Sequence, residues 1–320
     1  MHKSWYASVN YGLESTIAEI IKPMGAEGVT TMDSALTFAC NDEIKCACFI
    51  NLFRIVTSFK ADNALHAVRH IIRQPLASVP IGGSSFRIII MDCGQLCSVP
   101  DIIMREAERK VAQLTNGKIN RANPETELWV NRRNDGNTYF MARVHKHASS
   151  GKVLKQGELR PDIAHVMLHL AKADKSSVIA DPFCGWGAIA AAAAESRQYQ
   201  MIHTGDIDAE CLKYQRERLQ HHKNCTVHSW DARSLPLPDG SIDAIVTDPP
   251  WGEFKGADTK TLYDLFLREA ARVLKPKGKL VLLTSAQSDA SRYLKQHKFS
   301  YIIIPLKING KETFLFDAKK

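Results

Sequence analysis

The chain has 320 residues, 45% apolar and 24% charged, an ordinary balance for globular domains and enough for two or three of ~100–200 residues each. Its net charge is +8 and its pI about 9.0, with 17 basic against 14 acidic residues in 1–150 and 25 against 20 in 151–320; a surface for a polyanion must therefore be assembled by folding and not carried by a tail. No apolar run approaches the ~20 residues of a membrane span, the start Met1–Tyr6 leads into a strand pattern and not a signal peptide, and eight cysteines at irregular spacing point to reduced thiols in the cytoplasm.

Residues 5–10 read as a strand, and Gly12–Met24 as a helix with Ile17, Ile20 and Ile21 on one face. Gly25 and Gly28 mark a turn, and strand-like runs follow at 35–40 and 46–51. Asp62 is placed to cap a helix reaching Arg73, with Leu65, Val68, Ile71 and Ile72 inward. Pro75, Pro80, Gly82 and Gly83 then punctuate a linker. This β-α-β-β-α order over 1–80 suits a small α+β sandwich. A second unit, 81–150, holds a strand at 87–91, a helix from Asp101 to Leu114, a strand at 127–130, a turn at Asn134–Asn137 and a strand at 139–144. Cys46 with Cys48, and Cys93 with Cys97, lack the paired knuckles of a structural zinc site. His66 and His70 stand at i,i+4 without a third ligand, so no metal is expected.

From about Gly157 the style changes. Helices at 161–172, 187–196, 208–220, 261–274 and 288–297 alternate with short apolar strands at 177–181, 200–206, 225–229, 242–248 and 279–284. Such alternation predicts an α/β fold with a doubly wound parallel sheet over 151–320. Residues 301–304 and 313–316, around Asn309-Gly310, read as a hairpin at its edge.

The first of these strands runs into Asp181-Pro182-Phe183-Cys184-Gly185-Trp186-Gly187. Glycines at such a turn let backbone approach a ligand. An acid at the strand end suits a cationic ligand, such as the ammonium and sulfonium of S-adenosylmethionine, better than a pyrophosphate. The second strand ends at Asp206-Ile207, where an acid can accept ribose hydroxyls. The third ends near Asp231-Ala232, where an acid can accept an adenine amino group, with Ile207 and Ala232 against the ring. Each acid taken alone can equally cap the helix after it. Three at successive strand ends beside a glycine loop outline a binding crevice.

The fourth strand delivers Asp248-Pro249-Pro250-Trp251-Gly252. Two prolines stiffen the loop. An exocyclic amino group on a base is a poor nucleophile because its lone pair is delocalised. Asp248 and a proline-loop carbonyl can accept its hydrogens, and Asp248 can take the proton after methyl transfer. Trp251 offers a stacking face worth ~1–3 kcal/mol. The expected chemistry is methylation of a base amine.

Residues 157–320 resemble the N-methyltransferases with Asp/Asn-Pro-Pro-aromatic at the active site, through Gly157–Ala164, Asp181–Gly185 and Thr247–Gly252. The nearest subgroup is the tRNA guanosine-N2 methyltransferases with an N-terminal THUMP domain, because Phe86–Ile90, the helix near 101–114 and Asn123–Val130 resemble THUMP segments, while 1–80 resembles the ferredoxin-like domain before it. The resemblance implies a Rossmann-like, S-adenosylmethionine-dependent enzyme at 151–320, preceded by ferredoxin-like (1–80) and THUMP-like (81–150) domains. It implies methyl transfer to guanine N2 in RNA, tRNA first, gripped near the acceptor stem. Guanine N2 of ribosomal RNA, adenine N6, and a non-catalytic RNA-binding protein are the alternatives. The cofactor set becomes Asp181, Phe183, Gly185, Gly187, Asp206, Ile207, Asp231 and Ala232, and the catalytic set Asp248, Pro249, Pro250 and Trp251. Trp186 departs from the pattern, since family members usually have a small Ser or Thr there. For RNA, Arg105 and Arg109 share a helix face, joined by Arg132 and Arg133 and, more broadly, by Lys110, Lys118, Arg121, Arg143 and Lys146.

Overall fold

The computed structural model describes residues 2–76, 78–146, 154–196, 199–251 and 259–320. The motif residue Gly252 and the side chain of Lys146 lie outside the described residues. The chain divides into two compact units, Met1–Val9 with Ile21–His147, and Asn10–Ile20 with Ala148–Lys320, the helix α1 (Glu14–Ile21) falling almost wholly in the second. No helix among the described residues is long and apolar enough to cross a membrane.

The front unit is built on β1 (Lys3–Ser8), β2 (Glu27–Met32), β3 (Ala35–Cys40), β4 (Asn51–Lys60), β5 (Ser85–Asp92), β6 (Gln95–Cys97), β7 (Lys118–Ile119), β8 (Thr126–Arg132) and β9 (Asn137–Lys146). Among the described residues they make one nine-stranded sheet in the order β2-β3-β1-β4-β9-β8-β5-β6, with β7 beside β5. β4 pairs antiparallel with β9 from Asn51 opposite Lys146 to Lys60 opposite Asn137. That pairing merges the strands of 1–80 and 81–146 into a single sheet. The helices α2 (Ala64–Arg73) and α3 (Asp101–Thr115) bury Val68, Ile71, Ala107 and Val111 against Phe86, Leu128, Val130 and Phe140.

Three local expectations need correction. The run 46–51 is a loop in which Cys46, Cys48 and Phe49 are buried. Its apolar alternation imitates a strand, but the Phe49 amide turns back to the Cys46 carbonyl (3.2 Å) and the strand starts only at Asn51. The edge strand β2 escaped prediction because Glu27–Met32 is polar and largely exposed. Asn63, not Asp62, caps α2, its side chain accepting from the His66 amide at 2.9 Å.

The back unit runs α4 (Pro161–Ala171), β10 (Val178–Asp181), α5 (Ala188–Ser196), β11 (Met201–Asp206), α6 (Ala209–Leu219), β12 (Cys225–Ser229), β13 (Ile242–Thr247), α7 (Thr259–Val273), β14 (Leu274–Thr284), α8 (Gln287–Gln296), β15 (Ser300–Ile308) and β16 (Lys311–Lys319). Its seven strands among the described residues lie in the order β12-β11-β10-β13-β14-β16-β15. Those from β12 to β14 are parallel, and the terminal hairpin adds β16 and β15 antiparallel, giving a mixed sheet. The chain steps outward from β10 in one direction and from β13 in the other. Right-handed crossovers then put α5 and α6 on one face and α7 on the opposite one. The strand residues Ala180, Ile245, Leu280 and Leu282 pack with Phe266, Leu267, Ala270 and Leu294 of α7 and α8. The reversal between β10 and β13 leaves a crevice at their carboxyl ends. This unit also takes in Asn10–Ile20. The Asn10 amide donates to the buried Asp162 carboxylate, and Leu13 and Ile17 are fully buried.

Candidate active site

The two adjacent strands β10 and β13 bring Asp181 and Asp248 to the same end of the sheet. Asp181 is 1% exposed. Its Oδ1 accepts from the Thr247 hydroxyl at 2.8 Å, while its Oδ2 is buried with no hydrogen-bond partner. Burial pushes this carboxyl up to about 8, and the charges of Asp206 and Asp248 push the same way. The Phe183 amide donates to the other side of the Thr247 hydroxyl (3.3 Å), and the Phe183 ring meets Phe266 edge-on at 5.0 Å. Thr247 thus ties the start of the glycine loop to the end of β13.

The loop itself needs two glycines in the left-handed region, Gly185 at φ +46° and Gly187 at φ +79°. A Cβ on Gly185 would meet nothing within 4 Å, so the backbone there faces open space. A Cβ on Gly187 would lie 2.8 Å from Gln215. Gln215 is fully buried: its amide donates to the Gly185 carbonyl at 3.0 Å and to Cys184 Sγ, and its oxygen accepts from Thr204 at 3.1 Å. The loop is therefore braced from α6 by a residue the sequence reading did not single out. Its signal was a polar side chain four residues from both Cys211 and Leu219, on the buried face of that helix.

Asp206 closes the far side. Its Oδ2 accepts from the Gly185 amide at 2.9 Å and its Oδ1 from the Asp208 amide at 3.0 Å, while Asp208 caps α6. Ile207 is 75% exposed beside it. Asp231 is clasped by Arg233, with Nη2 to Oδ2 at 2.6 Å, which holds its carboxyl below the ordinary range. The Ala232 side chain is packed in the core, so only Ile207 of the two presents an apolar face to solvent. Gly205 gives Trp230 its room, for a side chain there would collide with the indole, which stacks on His228 at 4.7 Å.

Opposite the glycine loop, the Trp251 indole N–H donates to Asp248 Oδ1 at 2.6 Å. The Ser285 hydroxyl donates to the Trp251 carbonyl at 3.3 Å, and Pro249 is buried. Trp251 therefore orients the carboxylate as well as offering a ring. Burial pushes Asp248 up to about 7, with the indole bond pulling it down. Thr247 bonds to both Asp181 and Phe183, and Asp206 to the Gly185 amide, so the glycine loop is tied to the strand end before Asp248 on one side and to β11 on the other; Asp231 and Ala232 stand apart at the next strand. A partnerless buried carboxylate oxygen, open space at Gly185 and a surplus of acids fit a cationic ligand with hydroxyls to donate.

Most of the basic residues singled out in the front unit are engaged internally. Arg132 donates to Asp92 at 2.6 Å, and Arg133 to the Tyr6 hydroxyl at 2.9 Å and the Asp33 carbonyl at 2.6 Å. Arg121 forms a two-pronged pair with Glu108, Arg143 pairs with Glu127, and Lys110 caps the last carbonyls of α2 at Ile71 and Ile72. Arg105 and Arg109 are exposed on α3, the first in a loose pair with Asp101 at 3.3 Å. Lys118 is exposed too. His66 pairs with Asp62 at 3.2 Å, and His70 stacks on Phe59 at 3.9 Å.

The chain is similar to several known proteins. A bovine (Bos taurus) protein named tRNA (guanine(6)-N(2))-methyltransferase THUMP3 is 34% identical over 143 residues, 39% of this chain and 28% of that protein. A tRNA (guanine(10)-N2)-dimethyltransferase of Methanothermobacter thermautotrophicus is 35% identical over 149 residues, 45% of this chain and 42% of its own. The chain thus spans less than half the length of these curated relatives. The crystal structure of TrmN from Thermus thermophilus matches at a TM-score of 0.80 and 22% identity, covering 100% of both chains, a likeness of fold. The family model described as UPF0020, RMKL-like, methyltransferase domain matches residues 151–304. Residues 151–304 of this chain are accordingly similar to the methyltransferase domains that this family model describes.

Proposed function

We propose that the chain transfers a methyl group from S-adenosylmethionine to the exocyclic N2 of a guanine in RNA, with tRNA as the first candidate. The observation that carries this reading is that Thr247 ties Asp181 and Phe183, at the start of the glycine loop, to the strand end that delivers Asp248 and its orienting Trp251. S-adenosylmethionine supplies an electrophilic methyl on a sulfonium. Asp206 supplies negative charge and acceptors for its cationic and hydroxyl groups, the partnerless oxygen of Asp181 a position whose ionisation a neighbouring cation favours, Ile207 an apolar face, and Asp231 a further acceptor. Asp248 has one oxygen fixed by the indole, leaving acceptor capacity for an amino hydrogen. A carboxyl near 7 is matched to neutral solution as a base. It takes the proton that the amine loses as the new carbon–nitrogen bond forms.

The names of the relatives support guanine N2 in tRNA. The front unit is read as a ferredoxin-like part followed by a THUMP-like part that grips RNA near the acceptor stem. Arg105, Arg109 and Lys118 are the exposed cations that fit this role best. The reading includes a cytoplasmic setting, which rests on the cysteine usage. Mass spectrometry of nucleosides from tRNA and ribosomal RNA of a deletion strain tests it. Loss of N2-methylguanosine from tRNA is expected. Loss confined to ribosomal RNA, or loss of N6-methyladenosine, transfers the reading to those substrates, and an unchanged profile with no S-adenosylmethionine binding overturns the enzyme.

A further inference from the structure

Trp186 stands between the two left-handed glycines of the loop, and its bulk is put to use. Its indole N–H donates to the Gln156 carbonyl at 3.0 Å. The Lys155 ammonium lies 3.8 Å from the Trp186 ring centroid and 4.1 Å from that of Tyr214 on α6, and the two rings meet edge-on at 5.7 Å and 88°. One helical turn further along α6, the Arg218 guanidinium donates to the Trp186 carbonyl and to the buried Glu158 carboxylate, each at 3.1 Å. Glu158 in turn accepts from the Lys155 amide at 3.1 Å, and its own amide donates to the Lys155 carbonyl at 2.9 Å. The stretch 154–160, which feeds directly into α4 at Pro161, is thereby held to the glycine loop through Lys155, Gln156 and Glu158.

We propose that Trp186 and Tyr214, gripping Lys155, form a clasp that fastens the stretch 154–160 onto the glycine loop and slows the release of S-adenosylmethionine. Trp186, Tyr214 and Lys155 are positioning residues here, for they act through the loop backbone. Whatever moves 154–160 away pulls on Trp186, and Trp186 can follow only by turning Gly185 or Gly187. A loop that opens less often releases its ligand less often, so the clasp acts chiefly on dissociation. A small residue at 186 would supply neither the ring for the cation nor the donor for Gln156. The inference rests on the cofactor reading above.

The test compares wild type with Trp186→Ser, Lys155→Met and Lys155→Arg. Lys155 is exposed, so its variants keep the fold, and Lys155→Arg retains a cation for the rings. Stopped-flow release of S-adenosylhomocysteine is followed alongside hydrogen exchange at the amides of Lys155 and Glu158. Release is expected to speed roughly tenfold in Trp186→Ser and about three- to tenfold in Lys155→Met, with wild-type behaviour in Lys155→Arg. The double Ser/Met variant should be no faster than the stronger single one, since both cut the same contact. Amide exchange should accelerate in step, and the loss should fall on KM for S-adenosylmethionine more than on kcat. Release and exchange that match wild type in both Trp186→Ser and Lys155→Met overturn the clasp. Failure of wild type itself to bind S-adenosylhomocysteine overturns the cofactor reading instead; in that case exchange unaltered by Trp186→Ser also overturns the fastening.

Discussion

Replacing Gln215 by leucine tests whether the cofactor loop is held from beneath. The glutamine amide satisfies the Gly185 carbonyl at 3.0 Å, and its oxygen takes the Thr204 hydroxyl at 3.1 Å, all within the core. Leucine fills a similar volume but leaves two buried polar groups without these bonds, at about 1–3 kcal/mol each. Against the leucine's own apolar gain, a net destabilisation of about 2–4 kcal/mol is expected. Part of it will be relieved by letting Gly185 move, and that motion reaches the ligand. Urea unfolding measures the first effect, and titration with S-adenosylhomocysteine measures the second, expected as a tenfold or greater loss of affinity. A stability change below about 0.5 kcal/mol together with wild-type affinity would refute the brace, and the loop would have to hold its shape through Gly185 and Asp206 alone.

Four further outcomes follow from the same geometry. Asp248→Asn should lower kcat by about 10²–10⁴ with little change in S-adenosylhomocysteine affinity, and the wild-type rate should rise with pH through about 7; equal loss of binding and turnover would make the residue structural. Asp181 keeps its proton up to about 8 when folded but ionises near 3.8 when unfolded, so the stability it contributes is full below pH 4 and lost as pH rises toward 8; Asp181→Asn should flatten that part of a pH–stability curve. Arg105→Ala with Arg109→Ala should weaken RNA binding and reduce its salt slope by about 1–2, with unfolding midpoints unmoved. Arg133→Ala should instead destabilise the front unit by about 1–3 kcal/mol, because it removes one of the two donors to the Tyr6 hydroxyl, leaving Asn131 at 3.2 Å, and the donor to the Asp33 carbonyl; urea midpoints separate the two classes of arginine.

What could be read in the sequence was whatever obeys a local rule. The parallel strands of the back unit are short apolar runs covered on both faces, and the helices between them carry a 3.6 period, so their order and the acids at their ends were legible. Gln215 was not, because its partners lie in the glycine loop 30 and 31 residues away. Trp186 stood out as an unusual residue, yet only folding shows it joined to Gln156, Lys155 and Tyr214. Charge counts named Arg132 and Arg133 as RNA contacts, but cannot tell a cation facing solvent from one spent on Asp92 or Tyr6. In the front unit, Cys46–Phe49 alternates like a strand and is a loop, while Glu27–Met32 is a strand whose exposed edge position left no apolar pattern.

The pairing of β4 with β9 sets a schedule for the chain as it is made. Residues 51–60 have one finished neighbour, β1, early on, but their other edge waits for residues 137–146. Until those emerge, that edge offers unpaired amides and carbonyls along Phe53, Ile55 and Phe59, a template for another chain. Closing this sheet is a non-local step, so it should be slow compared with the helices beside it. A chain cut near residue 80 keeps that edge open for good and should aggregate where the intact one folds.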